Sequence, residues 1–390
     1  MKNRITVLLS FLISCLIAVS ILSCSSGGSS GNSEGQGTGS VAVILTDLPS
    51  DDFLEINITI RAIELLSDGG HITIFSEDDP ADYLAVDLLD LRNEISLVMI
   101  AENVPAISYN KIRLTVDSVE LVKLIDHDLY SHDINLPGNN KIDLNPRGNF
   151  SVQPGQMLTL QLDIDANYAI HVVTTRNSTE YNLRPEVFID IVDAVDIDKI
   201  MRFTGIVHNI DEEKFELCNT GILAEHIDPV RHMCIYVYVT EATSFFSAVD
   251  GGPVEEVHEG DMVTAIGFYM AVLPENSNEN NEIKIGLDAI VVEIGTFLKL
   301  KGTIISAFNV NDGQFDFEIA PGQGYVEGYQ ITVEVQDRTK IYTWDGENIE
   351  LSGSGAIESG RNAEVDGIML NTNSLNSAFI LIDIPQIPPI

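Results

Sequence analysis

Carboxylates are the most abundant reactive side chains in this sequence: 59 acidic residues stand against 21 basic ones, for a formal charge of −38. Two groups of them fall at the ends of predicted strands. Asp47, Asp51 and Asp52 follow the first strand, and Asp163 and Asp165 close a later one. Calcium takes about six to eight oxygen ligands, and carboxylates brought from two loops could supply them. The other reading is turn chemistry, because Thr46-Asp47-Leu48-Pro49 suits a turn and so acidic a chain forms clusters by chance. The turn reading is preferred, so no cofactor is expected and calcium is the ion of the alternative.

The second chemical constellation is Cys218 and Cys234, with His226, Asp228 and His232 between them. In an oxidising compartment an isolated pair reads as a disulfide, since Cys218 ends one predicted strand and Cys234 begins the next, which brings both to the mouth of a hairpin loop. Two thiolates and two imidazoles would also suit zinc, although the spacing matches no standard ribbon or finger. Two reduced thiols are the third reading, and the disulfide is preferred. Gly27-Gly28-Ser29-Ser30-Gly31 satisfies the pattern of an esterase nucleophile elbow, but it lies in a Ser/Gly tract where no strand and helix can flank it. No phosphate-binding loop, dinucleotide fingerprint or His-Glu-x-x-His occurs, so catalysis is not expected.

These residues sit behind an export signal. Lys2 and Arg4 precede an apolar run from Ile5 to Leu22, the charged and hydrophobic regions of a secretory leader. Ile21-Leu22-Ser23-Cys24 then resembles a lipobox. That resemblance implies cleavage before Cys24 and acylation of it, and two or more acyl chains give the stable anchoring that one cannot. An uncleaved N-terminal helix is the alternative. Residues 25–39, rich in Ser and Gly, form a flexible tether. The reading is therefore residues 1–23 as signal peptide, 24–39 as tether, and a body held at the bacterial cell envelope, at the outer membrane.

Removing Lys2 and Arg4 with the leader takes the charge from −38 to −40. Nucleic acid is excluded as a partner, since phosphate backbones are bound by Lys and Arg contacts. Anionic headgroups are repelled for the same reason, which leaves lipid as the membrane contact. Envelope proteins and glycans stay open as partners.

The elements that must position the acids and cysteines are strands. Val41, Val43 and Leu45 alternate, as do Ile56, Ile58 and Ile60, and further strands are predicted at 72–75, 112–116, 158–164 and 187–191. One short helix or none is expected, the only candidate being Leu88–Ala101 with a start that looks capped near Asp87. Beyond Ile200 the chain repeats. Phe203-Thr204-Gly205 matches Leu300-Lys301-Gly302, Val237-Tyr238-Val239 with Thr243 matches Val333-Glu334-Val335 with Thr339, and Gly260 to Gly267 matches Gly360 to Gly367. Phe245-Phe246 and Tyr342-Trp344 fall at corresponding places, where core packing is preferred over a shared binding rim.

Residues 40–49 (Ser40 to Pro49), Val86-Asp87-Leu88-Leu89, the segment from Tyr109 to Leu114 and Leu183-Arg184-Pro185 together resemble an uncharacterised bacterial lipoprotein family over roughly 40–190. The paired repeats resemble an uncharacterised OB-like domain. Neither resemblance implies an activity. The expected fold is all-β: a β-sandwich at 40–195, then tandem OB-like barrels at 200–295 and 298–384. The expected function is a lipid-anchored envelope protein acting as an interaction or structural module, with binding of a divalent cation or glycan as the alternative.

Overall fold

Alternating apolar residues give this chain strands almost throughout. The computed structural model describes residues 37–384 apart from 49–52, 92–93, 126–127, 135, 137, 147–148, 166–169, 175–178, 184–186, 193–198, 220–232, 250, 273–283 and 347. The first part holds β1 (Thr38–Leu48), β2 (Glu55–Ser67), β3 (Gly70–Ser76), β4 (Leu84–Asp87), β5 (Glu94–Pro105), β6 (Ser108–Tyr109), β7 (Lys111–Ile125) and β8 (Asp128–Asp133). It continues with β9 (Lys141–Leu144), β10 (Phe150–Ser151), β11 (Met157–Asp165), β12 (Ile170–Thr174), β13 (Thr179–Leu183) and β14 (Val187–Val192).

Two sheets face each other across one apolar core, one ordered β14-β11-β1-β5 and the other β3-β2-β7-β8. The buried positions of β2 run Ile56, Ile58, Ile60 and then Ile63, Leu65. This change of phase is absorbed by an irregularity at Arg61, where Ile60 pairs Val116 and Ala62 pairs Thr115. A matching step at Asp117 in β7 takes its core set from Ile112, Leu114 and Val116 to Val119 and Leu121. Each bulge moves one residue out of the pleat, so the same face stays apolar along both long strands.

Of the two outcomes left open for the one candidate helix, the structure shows none. Leu88–Leu91 is a single 3₁₀ turn and Glu94–Pro105 is strand, and no α-helix occurs among the described residues. Asp87 caps this turn as expected, but Ile95, Leu97 and Met99 bury as strand residues against two cores. Tertiary packing decided between two readings of a short apolar run.

Beyond the sandwich come β15 (Ile200–His208), β16 (Lys214–Asn219), β17 (Met233–Tyr238), β18 (Ser244–Ser247), β19 (Pro253–Val254), β20 (Met262–Val272) and β21 (Lys284–Ile294). The last part has β22 (Leu298–Ile304), β23 (Gln314–Ile319), β24 (Gln330–Trp344), β25 (Ile349–Leu351), β26 (Asn362–Asn371) and β27 (Ser374–Asp383). In the first set β15-β16-β17-β21-β20 closes back on β15, with β17 and β21 parallel. In the second, β22-β23-β24-β27-β26 closes on β22, with β24 and β27 parallel. Both are small closed five-stranded barrels with one strand order, and closure leaves little edge exposed.

The two barrels agree in detail. Gly205 pairs Val263 and Gly302 pairs Ala363. A Cβ on Gly267 would lie 2.1 Å from the Asp288 carbonyl oxygen, and one on Gly367 would lie 2.2 Å from that of Asn376. Only glycine fits where these strands kink onto their neighbours. Thr243 Oγ1 donates to the Ala289 carbonyl at 2.8 Å, and Thr339 Oγ1 donates to that of Ser377 at 2.7 Å.

Candidate functional site

β1 explains how the parts meet. Val41, Val43 and Leu45 pack into the sandwich core, whereas Ala42 and Ile44 pack, with Ile95 and Leu97 of β5, into the core of the first barrel. Both faces of this sheet are covered, so the run from Val41 to Leu45 is apolar throughout. The first turn of pairing between β5 and β15 is parallel, Glu94 beside Ile200 and Ile95 beside Met201. A third core, of Ile200, Phe246, Ile266, Val291, Tyr342, Ala378, Phe379 and Leu381, joins the barrels to each other. Phe246 and Tyr342 thus serve as packing between barrels. From Gly37 onward the chain is one compact unit.

Where these cores converge the structure buries charge. Arg202 Nε donates to Glu94 Oε1 at 2.6 Å, and its two Nη atoms grip Asp366 Oδ1 and Oδ2 at 2.7 and 2.8 Å. Lys299 Nζ donates to Glu94 Oε2 at 3.0 Å and lies 3.3 Å from Glu364 Oε2. Glu293 is also buried here, and its Oε1 accepts no hydrogen bond. The guanidinium of Arg202 stands 5.4 Å from the centre of the Phe379 ring. Lys199 Nζ reaches Thr46 Oγ1, which also donates to the Glu94 carbonyl at 3.3 Å.

The duplicated barrel supplies both cations from one position. Arg202 and Lys299 each lie three residues before the matched glycine, and they pair Ile266 and Asp366 on the next strand. Both point at the carboxylate of Glu94 from the sandwich. Burial would raise Glu94, but Arg202 and Lys299 outweigh it and hold the carboxyl below the usual range. Burial likewise opposes the charge of Lys299, and Glu364 and Glu94 overcome that to keep it protonated. Asp366 stays raised because burial exceeds what Arg202 returns. Glu293 is pushed far up, by burial first and by Asp366 second.

Beside this cluster lies a cleft of about 540 Å³ between the start of β2, the 3₁₀ turn at Leu88–Leu91 and the second barrel. Its lining includes Phe53, Glu55, Asp87, Leu89, Asp90, Lys299, Lys301, Thr303, Gln323, Asn362 and Glu364. Several of these polar groups already have partners. Lys301 Nζ binds Asp90 and the Leu89 carbonyl, Asp87 Oδ1 accepts from the amides of Ile56 and Leu89, and Thr303 Oγ1 donates to Asn362. The titratable groups of its lining are the carboxylates of Glu55, Asp87, Asp90, Glu364 and Asp383 and the ammonium groups of Lys299 and Lys301.

The residues singled out from sequence fall in different places. In β1 and β11, which run parallel, Thr46 stands beside Asp163, Asp47 beside Ile164 and Leu48 beside Asp165. Asp51 and Asp52 lie outside the described residues, as do the side chains of Asp47 and Asp165. Cys218 and Cys234 are cross-strand partners joined by a disulfide, so neither offers a thiolate to a metal. His226, Asp228 and His232 lie outside the described residues, as do Cys24 and the tether up to residue 36. The cluster was missed because its members lie 108 to 205 residues apart across the Glu94 contacts, and the one signal in the sequence was that Arg202 and Lys299 each stand three residues before a matched glycine.

The motifs of the first part carry structure. Asp87 caps the turn, and Tyr109 is buried against Phe150, with ring centres 5.7 Å apart and its hydroxyl donating to the Pro105 carbonyl at 2.9 Å. Arg113 forms a two-pronged pair with Asp143 at 2.5 and 2.9 Å. Residues 38–185 match the family described as a domain of unknown function, DUF4382. That domain covers the sandwich strands β1 to β13 and supplies no activity. No curated protein matches the chain.

Proposed function

We propose that this chain is a lipid-anchored protein of the bacterial outer membrane whose β body is a non-catalytic interaction or structural module. The observation that carries the reading is the buried cluster around Arg202: its charged groups bind one another across the sandwich and both barrels and are spent on holding the body together. A strand-rich body preceded in sequence by a Ser/Gly-rich stretch suits the presentation of surfaces to an envelope partner. The N-terminal leader, the lipobox-like Ile21-Leu22-Ser23-Cys24 and the acidity of the body support lipid attachment. The test is a Cys24→Ser variant expressed in cells fed radiolabelled palmitate. The wild type is expected to carry label and to sediment with membranes, and the variant to lose both. A variant that stays membrane-bound without label would show an uncleaved helix doing the anchoring.

The cleft favours a second reading, the binding of a glycan or divalent cation. Its size falls within the range of small-ligand sites, and Asn362 and Thr303 on its wall could meet sugar hydroxyls. Calorimetry with calcium and with envelope oligosaccharides separates the two, since heat that vanishes on Asn362→Ala would favour the ligand site.

A further inference from the structure

The seam between the barrels and the sandwich holds more acid than base. Glu94, Glu293, Glu364 and Asp366 are all buried, and they face two cations, Arg202 and Lys299. Arg202 donates to Glu94 and Asp366 and Lys299 donates to Glu94, while Glu364 Oε2, 3.3 Å from Lys299 Nζ, accepts no hydrogen bond. Glu293 enters from β21 at 2% exposure, with one oxygen accepting nothing. Its strand neighbours Thr264 of β20 and Phe246 of β18 carry no charge. The charges that act on it from other elements are Asp366 of β26, Arg202 of β15 and Glu94 of β5. A buried carboxylate in that position would meet two like charges, so the group is favoured as the neutral acid.

We propose that this seam is a proton-operated latch: Glu293 completes it as a neutral acid, and release of that proton to solvent sets a carboxylate against Asp366 and Glu94 and loosens the second barrel from the rest of the body. The direction of the shift at Glu293, raised by burial and then by Asp366, agrees with this. A group whose folded pKa is raised contributes stability in full below its unfolded value and loses it as pH rises through the folded value. Glu293 therefore holds the latch closed below its own folded pKa and opens it as pH rises through that value. The proposal stands apart from lipid anchoring and from any ligand in the cleft.

The test is hydrogen exchange of the whole mature protein, corrected for intrinsic rates, from about pH 5 to about pH 9. The peptides that report are Glu94–Met99, Met201–Val207 and Leu298–Thr303, with β2 and β7 as internal reference. In the wild type the opening of the seam is expected to rise by up to about tenfold for each pH unit across the window in which one proton leaves. In Glu293→Gln, which keeps the shape and cannot ionise, seam protection is expected to hold constant over that window. Parallel loss in the two proteins, or constant protection in the wild type, would overturn the latch. Carbon-13 carboxyl NMR of the wild type is the check that needs no variant: one glutamate signal should titrate far above the others, and its absence would overturn the proposal equally.

Discussion

Arg202 and Asp366 lie 164 residues apart in sequence and are joined by two parallel hydrogen bonds of 2.7 and 2.8 Å, one barrel gripping the other. A two-pronged guanidinium–carboxylate pair fixes orientation as well as distance. Removing one partner leaves the other as a buried, uncompensated charge. Arg202→Met is therefore expected to destabilise the protein by about 3–5 kcal/mol, read from urea unfolding. In Arg202→Met with Asp366→Ile, which puts at 366 the residue type found at its counterpart Ile266, part of that loss should return. No recovery in the double variant would show that the pair does not act as a unit.

Acid should weaken the same seam by a different residue. Glu94 is held below the usual carboxyl range, against its own burial, by Arg202 and Lys299. A depressed pKa contributes stability above the unfolded value and loses it as pH falls through the folded one. Thermal unfolding is thus expected to show stability falling below the ordinary Glu range, and Glu94→Gln should flatten that acid limb while lowering stability at neutral pH.

The disulfide and its counterpart give a comparison within one molecule. Cys218 and Cys234 are bonded in the first barrel, and at the matching place in the second Gln330 Nε2 donates to Glu318 Oε2 at 3.1 Å. The fold does not require the bond, so its effect should be local. Replacing both cysteines with Ser is expected to cost about 3 kcal/mol by loop-closure entropy, with the loss read as faster exchange in β16 and β17. Gln330→Ala, an exposed hydrogen bond, should cost under about 1 kcal/mol.

Glycine positions shared by the barrels are equally testable. A Cβ at Gly367 would stand 2.2 Å from the Asn376 carbonyl oxygen, inside contact distance of backbone that cannot step aside. Gly367→Ala should cost roughly 1–3 kcal/mol as overpacking does. Gly353→Ala, where a Cβ meets nothing within 4 Å, is the control and should leave the melting temperature unchanged.

What the sequence determined by itself was local and periodic. Alternation at Ile56, Ile58 and Ile60 specified a strand because the pleat has a period of two, and the repeated glycines at 205 and 302 marked two copies of one barrel because each must admit a neighbouring carbonyl. The same alignment set Arg202 and Lys299 three residues before those glycines, a visible signal in a chain with 21 bases against 59 acids. Nothing local in the sequence assigned Leu88–Ala101 to a turn and a strand, since a short apolar run suits either structure until its neighbours are placed. Nor could sequence show that Glu94 meets both cations. Charge pairing depends on distance in space and on the exclusion of water, and only the packing of three cores brings a sandwich carboxylate, two barrel cations and the acids of β21 and β26 into one dry place.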